Sequence, residues 1–157
     1  MPILKFERVN ESIEWAKNVI GIDGLTGDAT TVSLVDSNGD FNAVVVYTGY
    51  TKCNIDMHIA ARHGSNWLSR PYFNAAFELP FQVLQVPRVT GLIRASNTTA
   101  QGFVDMLGFQ YEGRMRKAFP DGEDLVLYGF LQEEFLNHRW RKHEINRAAA
   151  GIGAAAK

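Results

Sequence analysis

The chain has 157 residues, of which 46% are hydrophobic and 21% charged, and its formal net charge at pH 7 is −1. These values are typical of one soluble globular domain and exclude the strongly basic composition of many nucleic-acid-binding proteins. Cys53 is the only cysteine, so no internal disulfide can form. We find no signal peptide and no apolar run of membrane-spanning length, and we expect a cytoplasmic protein with no membrane contact.

The first half of the chain predicts one helix followed by three antiparallel strands. Residues 10–20 place apolar side chains near helical spacing, with Asn10 as the expected N-cap and Gly21 as the expected end. The turn "SNGD" separates two apolar runs and predicts a hairpin. Residues 30–61 therefore contain three strands in this interpretation.

The third of these strands has two chemically different faces. Strict alternation places Ile55, Met57 and Ile59 on one face and Asp56 and His58 on the other. A histidine beside a carboxylate is a candidate general base. Two polar residues on the solvent face of an antiparallel sheet explain the same pattern, and this structural interpretation is favoured from the segment alone.

The second half of the chain predicts alternating helices and strands. The expected elements are a helix over 69–85 that is perturbed at Pro80, a strand over 88–95, a helix from the cap Asn97 to Gly108, a hairpin, and a last helix over 132–145. In the first strand of that hairpin, Glu112, Arg114 and Arg116 are expected to share one face. An antiparallel first half followed by this order predicts a mixed α/β sheet.

The stretch "ARHGSNWLSR" at residues 61–70 joins a predicted strand to a predicted helix. A glycine-containing turn before a helix can bind a phosphate through free N–H groups of the first helical turn. Gly64 would allow close approach, Ser65 or Asn66 could donate, and Arg62 or Arg70 could pair with the anion. A polar turn with a helix cap accounts for the same residues.

Two further classes of site are not expected. The histidines lack the spacing of a metal site, and His138 and His143 are five residues apart. The basic run "NHRWRKHEINR" fits a solvated helix face better than a nucleic-acid contact. We therefore predict no metal site and no nucleic-acid partner.

The segment from residue 66 to residue 135 resembles the GNAT superfamily of acyl-CoA-dependent N-acetyltransferases, and specifically its ribosomal-protein N-terminal acetyltransferase branch. A strand, an asparagine, a short helix ending in Leu-Gly-Phe and then Glu-Gly with an arginine follow one another as in that branch. The matching positions here are Arg88, Val89, Asn97, Ala100, Leu107, Gly108, Phe109, Glu112, Gly113 and Arg116.

This resemblance implies a GNAT-like fold in which a mostly antiparallel sheet, flanked by helices, contains one splayed parallel pair of strands. Acetyl-CoA, as acyl donor, would lie between those strands, and an amine, such as a protein N-terminus, a lysine or a small amine, would attack it directly. The implied catalytic residues are His58, which is preferred as base, and Asp56. The implied cofactor-binding residues are Ile59, Ala60, Ala61, Arg62, Gly64, Ser65, Asn66, Trp67, Asn97 and Phe103.

The chain departs from the family pattern at two places. Asn66 stands where the phosphate loop of the family usually has a second small residue. Val104 stands where many members have a tyrosine that protonates the leaving thiolate. A second hypothesis is therefore a GNAT-fold protein with weak or no catalysis that acts as a binding or assembly component, for example of a bacterial virus. We predict one domain over residues 1–145 and a flexible Ala/Gly-rich tail over 146–157, and we leave a homodimer open.

Overall fold

The structure, a computed structural model, describes residues 3–5, 8–21 and 28–141. It contains seven strands, four α-helices and one π-helical turn in these ranges. In chain order they are β1 (Ile3–Lys5), α1 (Val9–Ile20), β2 (Thr30–Val35), β3 (Phe41–Thr48), β4 (Ile55–Ala61), α2 (Arg70–Glu78), the π-helical turn (Leu79–Val83), β5 (Arg88–Arg94), α3 (Thr98–Leu107), β6 (Gln110–Met115), β7 (Leu125–Leu131) and α4 (Gln132–Asn137).

All seven strands form one mixed sheet in the order β1-β2-β3-β4-β5-β7-β6. Every neighbouring pair is antiparallel except β4 and β5, which are parallel. The predicted fold class, a mostly antiparallel sheet with one parallel pair and flanking helices, is confirmed. Among the described residues, no helix is both long enough and apolar enough to cross a bilayer.

The larger core lies on the face of the sheet that is covered by α2, α3 and α4. Its centre is Phe77, which is 1% exposed. Five aromatic rings lie with their centroids 4.7 to 6.0 Å from that of Phe77, and they belong to Phe73, Phe81, Phe109, Phe130 and Phe135. Offset and edge-to-face aromatic contacts of this kind add to the stabilisation by area burial.

A smaller core lies on the opposite face, beneath α1. Ala16 of the helix packs there with Val44, Val46 and Ala60 of β3 and β4. Residues of β4 thus alternate between the two cores, since Ile55 and Met57 belong to the larger one. The predicted two-faced strand is confirmed.

Most predicted element boundaries are confirmed. Gly21 ends α1 in the left-handed conformation, Asn97 caps α3 by accepting from the Ala100 N–H at 3.0 Å, and Gly108 ends that helix. The predicted perturbation at Pro80 is the π-helical turn that follows α2.

Three expectations at the ends of the chain need correction. Asn10 is not the cap of α1, because the helix begins one residue earlier after Arg8, whose carbonyl accepts from the Ser12 N–H at 2.9 Å. The three-residue strand β1 is missed by the sequence patterns. The last helix is interrupted at His138, which has extended backbone before residues 139–141 become helical again. The remainder of that predicted helix and the predicted tail lie outside the described residues.

Ser69 caps α2, and its removal has a predictable cost. The Ser69 hydroxyl accepts a hydrogen bond from the Tyr72 N–H at 3.3 Å. We expect Ser69→Ala to lower the free energy of unfolding by about 1 kcal/mol, because one N–H of the first turn loses its partner. Ser65→Ala is the matched control, since the Ser65 hydroxyl bonds only within its turn. Equal denaturation midpoints for the two variants would contradict the assigned cap.

Candidate functional site

Strands β4 and β5 separate shortly after they meet. They pair only at Ile55 with Val89 and at Asp56 with Thr90. Beyond this point β4 continues along β3 to Ala61, while β5 continues along β7 to Arg94. The two inner edges, Met57–Ala61 and Gly91–Arg94, therefore face a gap instead of each other. Backbone N–H and C=O groups on such an edge are available to a ligand.

A cleft of about 400 Å³ occupies this gap. Because successive side chains of a strand point to opposite faces of the sheet, the wall of the cleft has two parts, one on each face. On the α3 face, which is the face covered by α2, α3 and α4, the wall is apolar and includes Met57, Ile59, Ala61, Trp67, Ile93, Ala100, Phe103, Val104 and Phe109. On the α1 face it consists of Ile20, His58, Leu92, Arg94 and Phe119. The cleft thus gives access to both faces of the sheet.

His58 is the titratable group of β4 in this wall. Its Nε2 atom lies 3.0 Å from the Thr48 hydroxyl on β3, and the two share a hydrogen bond. Burial lowers the pKa of His58, and the nearby negative charge of Asp56 opposes that shift in part. In the tautomer whose Nε2–H donates to the Thr48 hydroxyl, Nδ1 of the neutral imidazole has the free lone pair and can accept a proton, so this side chain can act as a base.

Asp56 lies at the closed end of the gap, where β4 and β5 still pair. Its carboxylate accepts from the Asn54 amide at 3.0 Å, and its side chain is absent from the cleft wall. Its effect on the site is electrostatic, through the pKa of His58.

Trp67 and Phe103 pack against each other in the wall of the cleft. Trp67 lies in the connection between β4 and α2, Phe103 lies on α3, and their ring centroids are 5.4 Å apart. Trp67 also packs edge-on against the buried Tyr72 at 6.0 Å. The pair forms an aromatic wall on the α3 face, and Asn97 at the start of α3 lines the same cleft.

The connection between β4 and α2 differs from the expected phosphate cradle. Gly64 has a φ of +74°, with open space around its Cβ position. Both the N–H and the hydroxyl of Ser65 bond back to the Arg62 carbonyl, at 3.2 and 2.8 Å. The helix begins only at Arg70, its Tyr72 N–H is bound by Ser69, and Pro71 has no N–H. The first turn of α2 therefore offers few N–H groups to an anion, and phosphate binding at this connection stays a prediction.

The predicted site residues divide into two groups. His58, Ile59, Ala61, Trp67, Asn97 and Phe103 line the cleft, whereas Asp56, Ala60, Arg62, Gly64, Ser65 and Asn66 do not. The Ala60 side chain is fully buried under α1, so only its backbone can face a ligand in the gap. The assignment of these residues to acetyl-CoA stays a prediction.

Sequence patterns missed the wall residues Ile20, Arg94 and Phe119. The Arg94 guanidinium pairs with Asp121 and Glu123, each at 2.8 Å, and lies 3.8 Å from the centroid of the Phe119 ring. Hydrogen bonds from Ser96 and then from Arg94 lower the pKa of Glu123 to about 2. These contacts fix the β6–β7 loop against the end of β5, over a sequence separation that no local pattern reveals.

The described residues contain no cluster of three or more side chains suited to hold a metal ion. The cleft itself offers free backbone edges, an apolar wall and the imidazole of His58.

Comparison with known proteins identifies the fold. No protein-family model and no curated protein matches the sequence. Among solved structures, spermidine/spermine N-acetyltransferase SpeG from Vibrio cholerae is 16% identical with a TM-score of 0.67, over 87% of this chain and 95% of that one. Mutant forms of the same enzyme are 15% identical with a TM-score of 0.70, over 87% and 98%. A third structure, of a protein provisionally named phosphinothricin N-acetyltransferase, is 15% identical with a TM-score of 0.64. The match covers 83% of this chain and 98% of that one.

At these identities the likeness establishes the fold. The chain has the fold of the GNAT acetyltransferases. None of the three structures is named for the ribosomal-protein branch, so that finer assignment stays a prediction.

Proposed function

We propose that this protein is an acetyl-CoA-dependent N-acetyltransferase in which an amine attacks the donor directly while both are bound. The observation that carries the proposal is the parting of β4 from β5, which exposes the inner backbone edge of Met57–Ala61 to a cleft of about 400 Å³. The fold shared with named N-acetyltransferases supports it. Because fold alone does not fix activity, the residues of the cleft decide which chemistry is possible.

The cleft suits the long, thin arm of an acyl-CoA. Amide groups along such an arm can pair with the free backbone edge of Ile59, Ala60 and Ala61, as an added strand would. Its methylene groups would contact the aromatic pair Trp67 and Phe103 on the α3 face. The diphosphate would then lie near the turn at residues 62–67, with the positive φ of Gly64 allowing close approach of the backbone.

His58 is the proposed general base. We assign His58 the tautomer whose Nε2–H donates to the Thr48 hydroxyl, which leaves Nδ1 to accept the proton of the incoming amine. As the new C–N bond forms, the amine proton passes to His58, and the C–S bond breaks to release the CoA thiolate. Val104 in the cleft wall has no proton to give, so water protonates that thiolate. Asp56 favours the protonated imidazole through its charge.

A calorimetric titration with acetyl-CoA tests the proposed donor. We expect saturable binding with a stoichiometry of one per chain. Gly64→Trp, at a turn with open space but positive φ, is expected to weaken binding because its side chain would fill the approach to the backbone. No heat of binding at millimolar acetyl-CoA would contradict the proposed function. It would favour the hypothesis of a non-catalytic binding component.

A further inference from the structure

We infer that the acceptor is a primary amine carried on an apolar, preferably aromatic, group, and that it binds between Ile20 and Phe119 on the α1 face of the cleft. The inference rests on the proposed acetyltransferase function and specifies its acceptor. If the donor arm lies along Ile59–Ala61 against Trp67 and Phe103, it occupies the α3 face. The α1 face, where His58 lies, is then the side from which an amine can reach the base.

The described wall of the α1 face is mostly apolar and contains no carboxylate side chain. Ile20, Leu92 and Phe119 are apolar, and His58 and Arg94 are the only titratable side chains in the described wall of the cleft. A polyamine would bring several ammonium groups into this space. Each loses hydration on entry and needs a carboxylate or comparable acceptor in return.

The carboxylates that share this face or contact its wall already have partners. Asp56, on the same face of β4 as His58, accepts from the Asn54 amide at 3.0 Å. Both Asp121 and Glu123 bind Arg94, and their remaining oxygens accept from the backbone N–H groups of Glu123 and Ser96 at 3.0 and 2.8 Å. Neither side chain is part of the cleft wall. Because two carboxylates pair with one guanidinium, this rim of the cleft carries a small net negative charge. That charge favours the approach of a single ammonium group.

Phe119 is held in a fixed position at this rim. Its N–H donates to the Glu123 carbonyl at 3.2 Å, its carbonyl accepts from the Gly122 N–H at 2.9 Å, and its ring stacks on Arg94. A half-buried ring held in this way presents a preformed apolar surface, so little ordering is needed when a second ring packs on it. On the other side of the opening, Ile20 at the end of α1 supplies an aliphatic surface.

Comparing 2-phenylethylamine with spermidine as acceptors tests the inference. With the full-length protein and acetyl-CoA, acetylated product is measured by mass spectrometry. We expect kcat/KM to be at least about tenfold higher for 2-phenylethylamine, because a buried aromatic ring contributes a gain of that size or more. Spermidine acetylated with equal or higher kcat/KM would overturn the inference while leaving the proposed transferase function intact.

Two variants locate the acceptor. Phe119→Ala is expected to lower kcat/KM for 2-phenylethylamine about tenfold and to lower that for spermidine by a clearly smaller factor. Tyr50→Ala removes an aromatic side chain that is 54% exposed and outside the cleft, so neither amine should be affected. An equal loss for both amines in Phe119→Ala would overturn the assigned position.

If no amine is acetylated, the proposed transferase function is contradicted, and the acceptor surface is then tested by binding alone. Calorimetric titration of each amine into the protein saturated with CoA then tests the acceptor surface alone. Tighter binding of 2-phenylethylamine than of spermidine supports the inference. Equal binding, or binding of spermidine alone, overturns it, and so does the absence of binding by both.

Discussion

Replacing Ala100 with tryptophan is expected to weaken acetyl-CoA binding by about a hundredfold. Ala100 lies in the first turn of α3 and lines the cleft beside Phe103. An indole at this position would occupy space between β4 and β5 that the donor arm needs, and overpacking of this kind costs roughly 1–3 kcal/mol. The dissociation constant is measured by calorimetry, and thermal denaturation shows whether the variant is folded.

Met106→Trp is the matched control for this change. Met106 lies on the same helix, is 50% exposed and is not part of the cleft wall. We expect its acetyl-CoA affinity to equal that of the unchanged protein. If Ala100→Trp binds acetyl-CoA as tightly as Met106→Trp does, the donor does not occupy the gap between β4 and β5.

The second large effect is expected for His58→Ala. Removal of a positioned general base lowers acetyl transfer by roughly 10²- to 10⁴-fold. Acetyl-CoA affinity should change little, because the proposed position of the donor arm is on the α3 face. His63→Ala, at an exposed position in the turn after β4, is the control that should retain activity. Full transfer activity in His58→Ala would remove His58 as the base.

The pH dependence of transfer gives an independent test of the same role. Only neutral His58 can accept the amine proton, so kcat/KM should fall as the pH drops through the pKa of this residue. Burial holds that pKa below its ordinary value of 6.5, and the Asp56 charge raises it. Asp56→Asn should therefore move the acidic limb of the profile to lower pH. A shift to higher pH, or none, would contradict the electrostatic role assigned to Asp56.

Local signals predicted much of the framework of the cleft. The alternation of Ile55, Met57 and Ile59 identified β4 and its two faces, and those faces are the two parts of the cleft. Asn97 and Gly108 delimited α3 because a side-chain cap and a left-handed end are local properties. These residues depend on neighbours within a few positions, which is the range that sequence patterns can report.

Other features depend on contacts that no local pattern contains. The register of β6 and β7 shifts between Tyr111 and Gly113, so one extra residue enters the strand. Glu112 then pairs with Arg88, while Arg114 lies opposite the buried Val126. The prediction that Glu112 and Arg114 share a face is therefore wrong, because the bulge reverses the alternation.

The connection between β4 and α2 was predicted only in part. Gly64 marked a turn correctly, and the predicted helix start at residue 69 agrees with α2, which begins at Arg70 after its cap Ser69. The turn and the helix cap are separate structures, joined by a segment that places Trp67 against Phe103. Ile20 and Phe119 join the same cleft only through the packing of α1 and of the β6–β7 loop.

Amide hydrogen exchange with and without acetyl-CoA tests most directly whether the donor binds along the inner edge of β4. We predict that exchange slows at amides within Met57–Ala61 that do not bond to β3, and also in residues 62–67, when acetyl-CoA is added. Amides of Thr30–Val35 in β2, which is remote from the cleft, should exchange at unchanged rates. Saturable binding without protection in β4 and residues 62–67 would contradict the proposed donor site.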